Sequence, residues 1–277
     1  MKTVPARDIA RTILFTLFAI LLPAITQASA HQTTITLGVY HFPPIASVGQ
    51  NGEAEGLLGD LLKALEQTHP GLSFQIVHTS PKRRHLDFDA GLYDVIFFES
   101  PQWGWSERPV DVTAPILEDE ELYVALNTRG RDASFFENLH QRNIVAISGY
   151  HYRLTGYETD TAVLEEQFSI EFSDSHSRNL KLIMADRPSV AEIAIVSESY
   201  LQRYLSEHPG DRPKLLIADD PDQRYQLSII VRKNAVTTAD DFLRLLAPLV
   251  LSGQYQRLVE KWNLAAPTGL AEGLTER

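Results

Sequence analysis

Cysteine is absent from this sequence, and the side chains whose type and spacing single them out for chemistry are arginines, aromatics and carboxylates. Arg108 carries a planar guanidinium whose fork of N–H donors matches a carboxylate bidentately. A charge-assisted bond of that kind contributes about 1.5–3 kcal/mol. Arg108 therefore reads as an anchor for an anionic ligand, or else as a surface partner of Glu107 or Asp111. Arg84, in the basic turn Pro81-Lys82-Arg83-Arg84, is a second candidate cation, and two cations facing one site would favour a dianionic ligand. Tyr40 and Phe42 follow an alternating apolar segment, and open α/β sheets place ligands at the carboxyl ends of such strands. Trp103 and Trp105 lie in the loop Glu99-Ser100-Pro101-Gln102-Trp103-Gly104-Trp105. Two indoles in one loop point to the lining of a cleft or to packing back onto the fold.

Catalytic signatures are missing. There is no Gly-x-Ser-x-Gly elbow, P-loop, His-Glu-x-x-His or Gly-x-Gly-x-x-Gly. The nine histidines show neither His-x-His nor His-x-x-x-His spacing, so no metal site and no cofactor are expected. The acids from Glu118 to Glu121 read as a solvated face. Cysteine is absent, which removes thiol nucleophiles, Cys-ligated zinc, iron–sulfur clusters and any lipoprotein cysteine. At 44% hydrophobic and 22% charged residues, the 277-residue chain has the mix of a soluble folded protein rather than of a disordered or collagenous one. A net charge of −11 disfavours nucleic acid and anionic lipid as partners.

The first thirty residues read as an address. Lys2, Arg7 and Arg11 precede the apolar run from Ile13 to Ile25, and Ala28-Ser29-Ala30 follows as a small-x-small cleavage site. The run is shorter than the roughly 20 residues of a spanning helix and is interrupted by Pro23, so a signal peptide over 1–30, cut after Ala30, is preferred to an anchor. Its removal leaves 22 bases against 35 acids and a net charge of −13. An exported, soluble, periplasmic protein is expected.

From Thr33 onward, strand and helix patterns alternate. The strands fall at 33–40, 74–78 and 93–98, with a leucine-striped helix over 55–67 and a short helix over 84–90. A second round carries strands at 121–126, 144–147 and 192–196 and helices at 135–140, 161–168, 179–185 and 199–206. A strand at 226–231 and two amphipathic helices, 239–251 and 254–262, close the chain. The last fifteen residues show no apolar period and read as a frayed tail. Such a pattern fits one large sheet or two lobes between which the chain crosses twice.

Five short motifs in order resemble the family 3 extracellular solute-binding proteins, the polar amino acid type of the two-lobed periplasmic binding fold. They are Leu37-Gly38-Val39-Tyr40-His41-Phe42-Pro43-Pro44, Gly56-Leu57-Leu58-Gly59-Asp60-Leu61-Leu62, Gly91-x-Tyr93-Asp94-Val95-Ile96, the stretch from Ser106 to Pro115, and Gly253-x-Tyr255-x-x-Leu258-x-x-Lys261-Trp262. The resemblance implies an α/β type II (Venus-flytrap) fold with lobe 1 from 31–115 plus 224–265, lobe 2 from 118–221 and a flexible tail over 266–277. A small-molecule ligand would sit between lobes that close over it.

The resemblance also implies roles. Arg108 would grip the ligand's carboxylate, Tyr40 or Phe42 would stack on it, and Arg84 would face the cleft. Ser148-Gly149-Tyr150 resembles a turn offering backbone donors to a carboxylate. The acid that pairs with an α-ammonium in amino-acid binders falls on Ser197, with Glu198 next to it, so the ligand is expected to be an amino acid or an organic acid without an amine. These residues point to a monomeric, non-enzymatic periplasmic receptor for a small carboxylate-bearing solute, delivering it to a membrane ABC importer. Two alternatives share the fold: a ligand-sensing subunit that docks on a membrane signalling receptor, and a periplasmic dehydratase using Glu198 or Glu99 as its general acid.

Overall fold

Period-two alternation and β-branched residues make Thr33–Val39 a strand, β1, and the computed structural model, which describes residues 32–275, builds the fold outward from it. The proposed signal peptide lies outside the described residues. The chain continues through β2 (Ser47–Val48), β3 (Ala54–Glu55), α1 (Gly56–Thr68), β4 (Leu72–His78), α2 (Arg84–Asp89), β5 (Val95–Glu99) and β6 (Val110–Val112). It then runs through β7 (Leu117–Leu126), β8 (Ile144–Ile147), α3 (Thr161–Gln167), β9 (Ile170–Ser173), α4 (His176–Met184), β10 (Ile193–Ser197) and α5 (Glu198–Glu207). Last come β11 (Leu215–Ile217), β12 (Gln223–Arg232), α6 (Ala239–Leu251), α7 (Gln254–Lys261) and α8 (Leu270–Thr275).

The main sheet runs β4-β1-β5-β12-β7-β10-β8-β9, with β6 added to β12 and β11 to β7. Two parallel triplets, β4-β1-β5 and β10-β8-β9, flank an antiparallel centre. Strand β12 changes partner midway: Gln223–Leu227 pairs with β7, and Ser228–Val231 with β5, across a register shift at Ser228/Ile229. The mixed α/β class expected from the sequence is the observed one.

Each half has its own apolar packing. One cluster joins Leu37, Val39, Ile96, Leu57, Leu61, Leu65, Phe242 and Leu246 beneath β1, β5, α1 and α6. In the other half, alternate residues of single strands face opposite ways, as a pleated strand requires. Leu122 and Val124 of β7 and Ala194 and Val196 of β10 enter a cluster with α4 and α5, whereas Tyr123, Ala125, Ile193 and Ile195 enter a second one with Tyr152 and Leu164. Burial on both faces is why these strands read as unbroken apolar runs.

Helix starts position the loops that matter. The orphan N–H groups of Leu57 and Leu58, opening α1, donate to the carbonyls of Pro44 and Ile45 at 3.2 and 2.9 Å and pin the loop that carries Phe42. Asp60 of α1 accepts from Lys261 Nζ and Trp262 Nε1, at 2.7 and 2.9 Å, tying the end of α7 to the first half.

Three expectations are corrected. The helix expected over 135–140 is two separate 3₁₀ turns, Ala133–Phe136 and Leu139–Gln141, because Asn138, at φ −123° and ψ 62°, leaves the helical region between them. Strands β6, β9 and β11 have three or four residues each, too few to show a period in the sequence. The tail read as frayed contains α8, whose Leu270 and Leu274, four residues apart, pack on the core of the first half.

Gly38 of β1 is the tightest point in the sheet. A Cβ there would lie 2.6 Å from the ring of Tyr93, and the Tyr93 hydroxyl donates to the Arg84 carbonyl at 2.5 Å. We expect Gly38→Ala to cost about 1–3 kcal/mol by overpacking and to lower Tm by several degrees. An unchanged calorimetric Tm would show that the ring has room to move.

Candidate functional site

The ends of β1 and β5, the start of α2 and the turn after β8 converge on one small closed cavity. It is lined by Tyr40, Phe42, Arg84 and Trp103 from the first half, Tyr150 and His151 from the second, and Glu121 and Gln223 from the crossing strands β7 and β12. Its volume is ≈ 10 Å³, room for about one water.

Arg84 organises the site. The residue is 1% exposed, and its Nε donates to Glu99 Oε2 at 3.2 Å. Other guanidinium donors reach the carbonyl of Pro81, the carbonyl of Gly149 at 3.2 Å and His151 Nδ1 at 2.9 Å. Arginine has only donors, so His151 Nδ1 must accept and its proton sits on Nε2. Burial and the neighbouring Arg84 hold the His151 pKa down at about 2. The Arg84 guanidinium also lies 5.3 Å from the Tyr40 ring centroid.

Glu99, at the end of β5, is fully buried, and its Oε2 also accepts from Trp105 Nε1 at 2.6 Å. Burial pushes its pKa up, while Arg84 and the indole N–H pull it down. Arg84 and Glu99 thus cancel each other's charge where a free pair of cations was expected.

Aromatic rings fill the remaining space. Tyr40 and Phe42 stack at 6.0 Å, and Phe42 meets Trp103 and Tyr150 edge-on at 6.1 and 5.5 Å. Trp103 lies parallel to His151 at 6.4 Å and edge-on to Tyr225 at 5.0 Å. The Tyr150 hydroxyl donates across the seam to the His41 carbonyl at 3.2 Å. Gly149, at φ +80°, lets the turn approach: a Cβ there would lie 2.8 Å from the Lys82 backbone nitrogen.

Of the residues singled out from the sequence, Tyr40, Phe42, Arg84, Trp103 and Tyr150 line the cavity, and Gly149 bonds to Arg84. Others do not reach it. Arg108 lies outside, gripping Asp89 with Nε and a second donor at 3.1 Å each, and donating to the Gly104 carbonyl. Trp105 is buried behind the cavity, edge-on to His85 and Phe88. Ser148 lines an open cavity of ≈ 490 Å³ with His41, His78, Lys82 and Asp174. Ser197 is buried with its hydroxyl unpaired, and Asp119 bonds the Ser199 N–H at the start of α5 where a cap from Ser197 would act. Glu198 lines an open groove of ≈ 840 Å³ with Asp119, Glu120 and Arg224.

Glu121 is the residue sequence reasoning missed. It is 2% exposed, not part of a solvated face, and its Oε1 accepts from the Tyr225 hydroxyl at 3.4 Å while its Oε2 has no partner. Burial, reinforced by Asp119 and Asp222, pushes its pKa well up. Its alternation with buried Tyr123 along β7 was the available signal.

Three comparisons extend this picture. The model of the bacterial extracellular solute-binding proteins, family 3, matches residues 35–265. No curated protein sequence matches the chain. A histidine kinase sensor domain similar to periplasmic binding proteins superimposes with TM-score 0.65 at 18% identity, over 86% of this chain and 99% of that one. An ABC uptake transporter substrate-binding protein from Streptococcus pneumoniae with bound histidine gives 0.64 at 17%, over 84% and 94%. The P235GK mutant of ArgBP from T. maritima gives 0.61 at 18%, over 83% and 94%. The fold is that of the two-lobed type II periplasmic binding proteins.

Two predictions follow from the site's charges. Arg84→Ala strands the Glu99 carboxylate and should cost about 3–5 kcal/mol, whereas Arg108→Ala removes a surface pair and should cost about 1 kcal/mol or less. Equal losses in urea unfolding would reverse the assignment of which arginine is structural. The second concerns pH. Burial lowers the pKa of His85 and His176 to about 3 and, with Arg84, that of His151 to about 2, so unfolding takes up protons below pH ~6.5 and stability falls with pH. Burial raises Asp119 to about 7 and also raises Glu99 and Glu121, terms that favour folding at low pH and fade as pH rises through their folded values. The two sets oppose each other between pH ~4 and ~6.5, and below pH ~4 the histidines act unopposed. Stability should therefore be nearly level in that window and drop steeply beneath it. His176→Phe, which removes a ring with no hydrogen bond at either nitrogen, should soften the drop; an identical acid profile would exclude His176 as a contributor.

Proposed function

This chain belongs to the bacterial extracellular solute-binding proteins of family 3, and from that membership and the cavity's chemistry we propose that it is a periplasmic receptor for a small amino acid or organic acid. One observation carries the reading: aromatic, cationic and acidic side chains from both halves of the sheet meet around a single closed space. A cavity of ≈ 10 Å³ admits no solute as it stands, so the lobes part for entry and close on the ligand. The hinge lies at 115–119 and 219–224, lobe 1 spans 31–115 and 224–265, and lobe 2 spans 118–221.

Arg84, in place of Arg108, is the cation available to the ligand's carboxylate, which competes with Glu99 for it. The closed, loaded form then docks on a membrane ABC importer. An export signal over residues 1–30 puts the receptor in the periplasm.

The test is a thermal-shift screen of the exported protein against amino acids, dicarboxylates, aromatic acids and polyamines. A solute at 100 times its Kd adds about 2.7 kcal/mol to the native state, a shift of several degrees. The pair Arg84→Met with Glu99→Gln keeps the interior neutral and should fold yet lose carboxylate binding at least tenfold. Binding by that variant at full strength would remove Arg84 from the role. Cross-linking of the loaded protein to membranes should recover importer subunits; recovery of a signalling receptor would replace the importer with a sensory partner.

A further inference from the structure

Glu121 lies in the cavity wall without a counter-cation. Arg84, the cation nearest it in the wall, is matched by Glu99, so the three groups together carry one unbalanced negative charge when Glu121 is ionised. Asp222 offers no positive charge either, its oxygens being taken by the Tyr123 hydroxyl at 2.6 Å and the backbone N–H groups of Arg153 and Leu154 at 2.8 Å each. Two polar atoms of the lining residues are buried and unpartnered, the acceptor Glu121 Oε2 and the donor Trp103 Nε1. A buried group left in that condition costs stability unless a ligand completes it. Tyr40, Phe42, Trp103 and Tyr150 line the same space with aromatic rings, whose negative faces attract cations.

We propose that this cavity is an aromatic cage for a positively charged group, in which Glu121 holds the ammonium or guanidinium end of the solute and the Trp103 indole donates to an oxygen of the same molecule. The proposal rests on the receptor reading above and narrows it to amine-bearing solutes. The seam formed by Tyr150 with Phe42 and with the His41 carbonyl parts to admit that end. Asp119 on β7, Asp222 before β12, Tyr225 on β12, Tyr150, His151 and Tyr152 after β8, Tyr40 after β1 and Arg84 on α2 are the charged and titratable groups around Glu121. Burial and the two aspartates keep the empty carboxyl protonated above the usual carboxylate range, and an arriving cation favours its ionised form. At a pH where the empty carboxyl holds its proton, binding therefore expels that proton to solvent.

Titration calorimetry on the exported protein tests this with L-lysine, L-arginine, choline and putrescine. The counterparts without an ammonium, hexanoate for L-lysine and 3,3-dimethylbutanol for choline, and the amine-free acid succinate, serve as controls. L-lysine or choline should bind tenfold or more above its counterpart. Its apparent enthalpy should depend on the buffer's ionisation heat, as proton release demands. Glu121→Gln, isosteric and lacking the buried charge, should melt no lower than the native chain, lose at least tenfold in affinity for that probe and abolish the buffer dependence. Succinate binding without any cationic probe would overturn the cage and leave the receptor standing. Undiminished affinity in Glu121→Gln would also overturn it. Silence from every probe would overturn the cage, and the wider thermal-shift screen would then decide the receptor reading.

Discussion

A guanidinium moved into a dry interior loses its hydration, and this fold puts one at its centre. Arg84 stays charged there because Glu99, two backbone carbonyls and a histidine nitrogen replace the lost water. Those partners come from both sides of the cleft: Glu99 and the Pro81 carbonyl from one half, His151 and the Gly149 carbonyl from the other. The contacts that join the two halves here are thus the same ones that solvate the arginine. Tyr93 is wedged over Gly38 to hold the Arg84 backbone, and Gly149 is bare so that its carbonyl can come near enough.

The crossing strands supply what the loops do not. Strand β12 serves both halves of the sheet, changing partner at Ser228, and β7 runs beside its first part. Their side chains therefore face the space between the halves, which is how Glu121 and Gln223 come to line it. Glu121 lies directly opposite Ser197 in the β7–β10 ladder. A carboxylate missing from the end of one strand is thus present on its neighbour, a step that spacing along the chain cannot display.

Much of the fold was legible in the sequence because period and burial agree over long elements. Helices α1 and α6 carry regular leucine stripes, and β8 and β10 are short apolar runs between turns. Three-residue strands and the pair Leu270/Leu274 were not, since a period needs more residues than they have. Residue type singled out Tyr40, Phe42, Arg84 and Trp103, which the fold brings to one cavity. It also singled out Arg108, which lies outside that cavity because it reaches Asp89, nineteen residues away along the chain, a tertiary fact. The acidic run hid Glu121 because composition cannot say which members of an alternating strand point inward.

The placement of the tryptophans gives the molecule an optical property. Trp105 touches Glu99, His85 and Phe88, all on its own side of the cleft, and keeps one environment whether the halves are together or apart. Trp103 lies parallel to His151 of the opposite half, and Trp262 has the Arg203 guanidinium of α5 at 5.0 Å from its ring. Separation of the halves would wet the first indole and leave the second with Lys261, 5.5 Å from its ring, as its remaining cation. The chain's own emission spectrum is thereby a gauge of opening, readable without a label, with one silent indole as its internal standard.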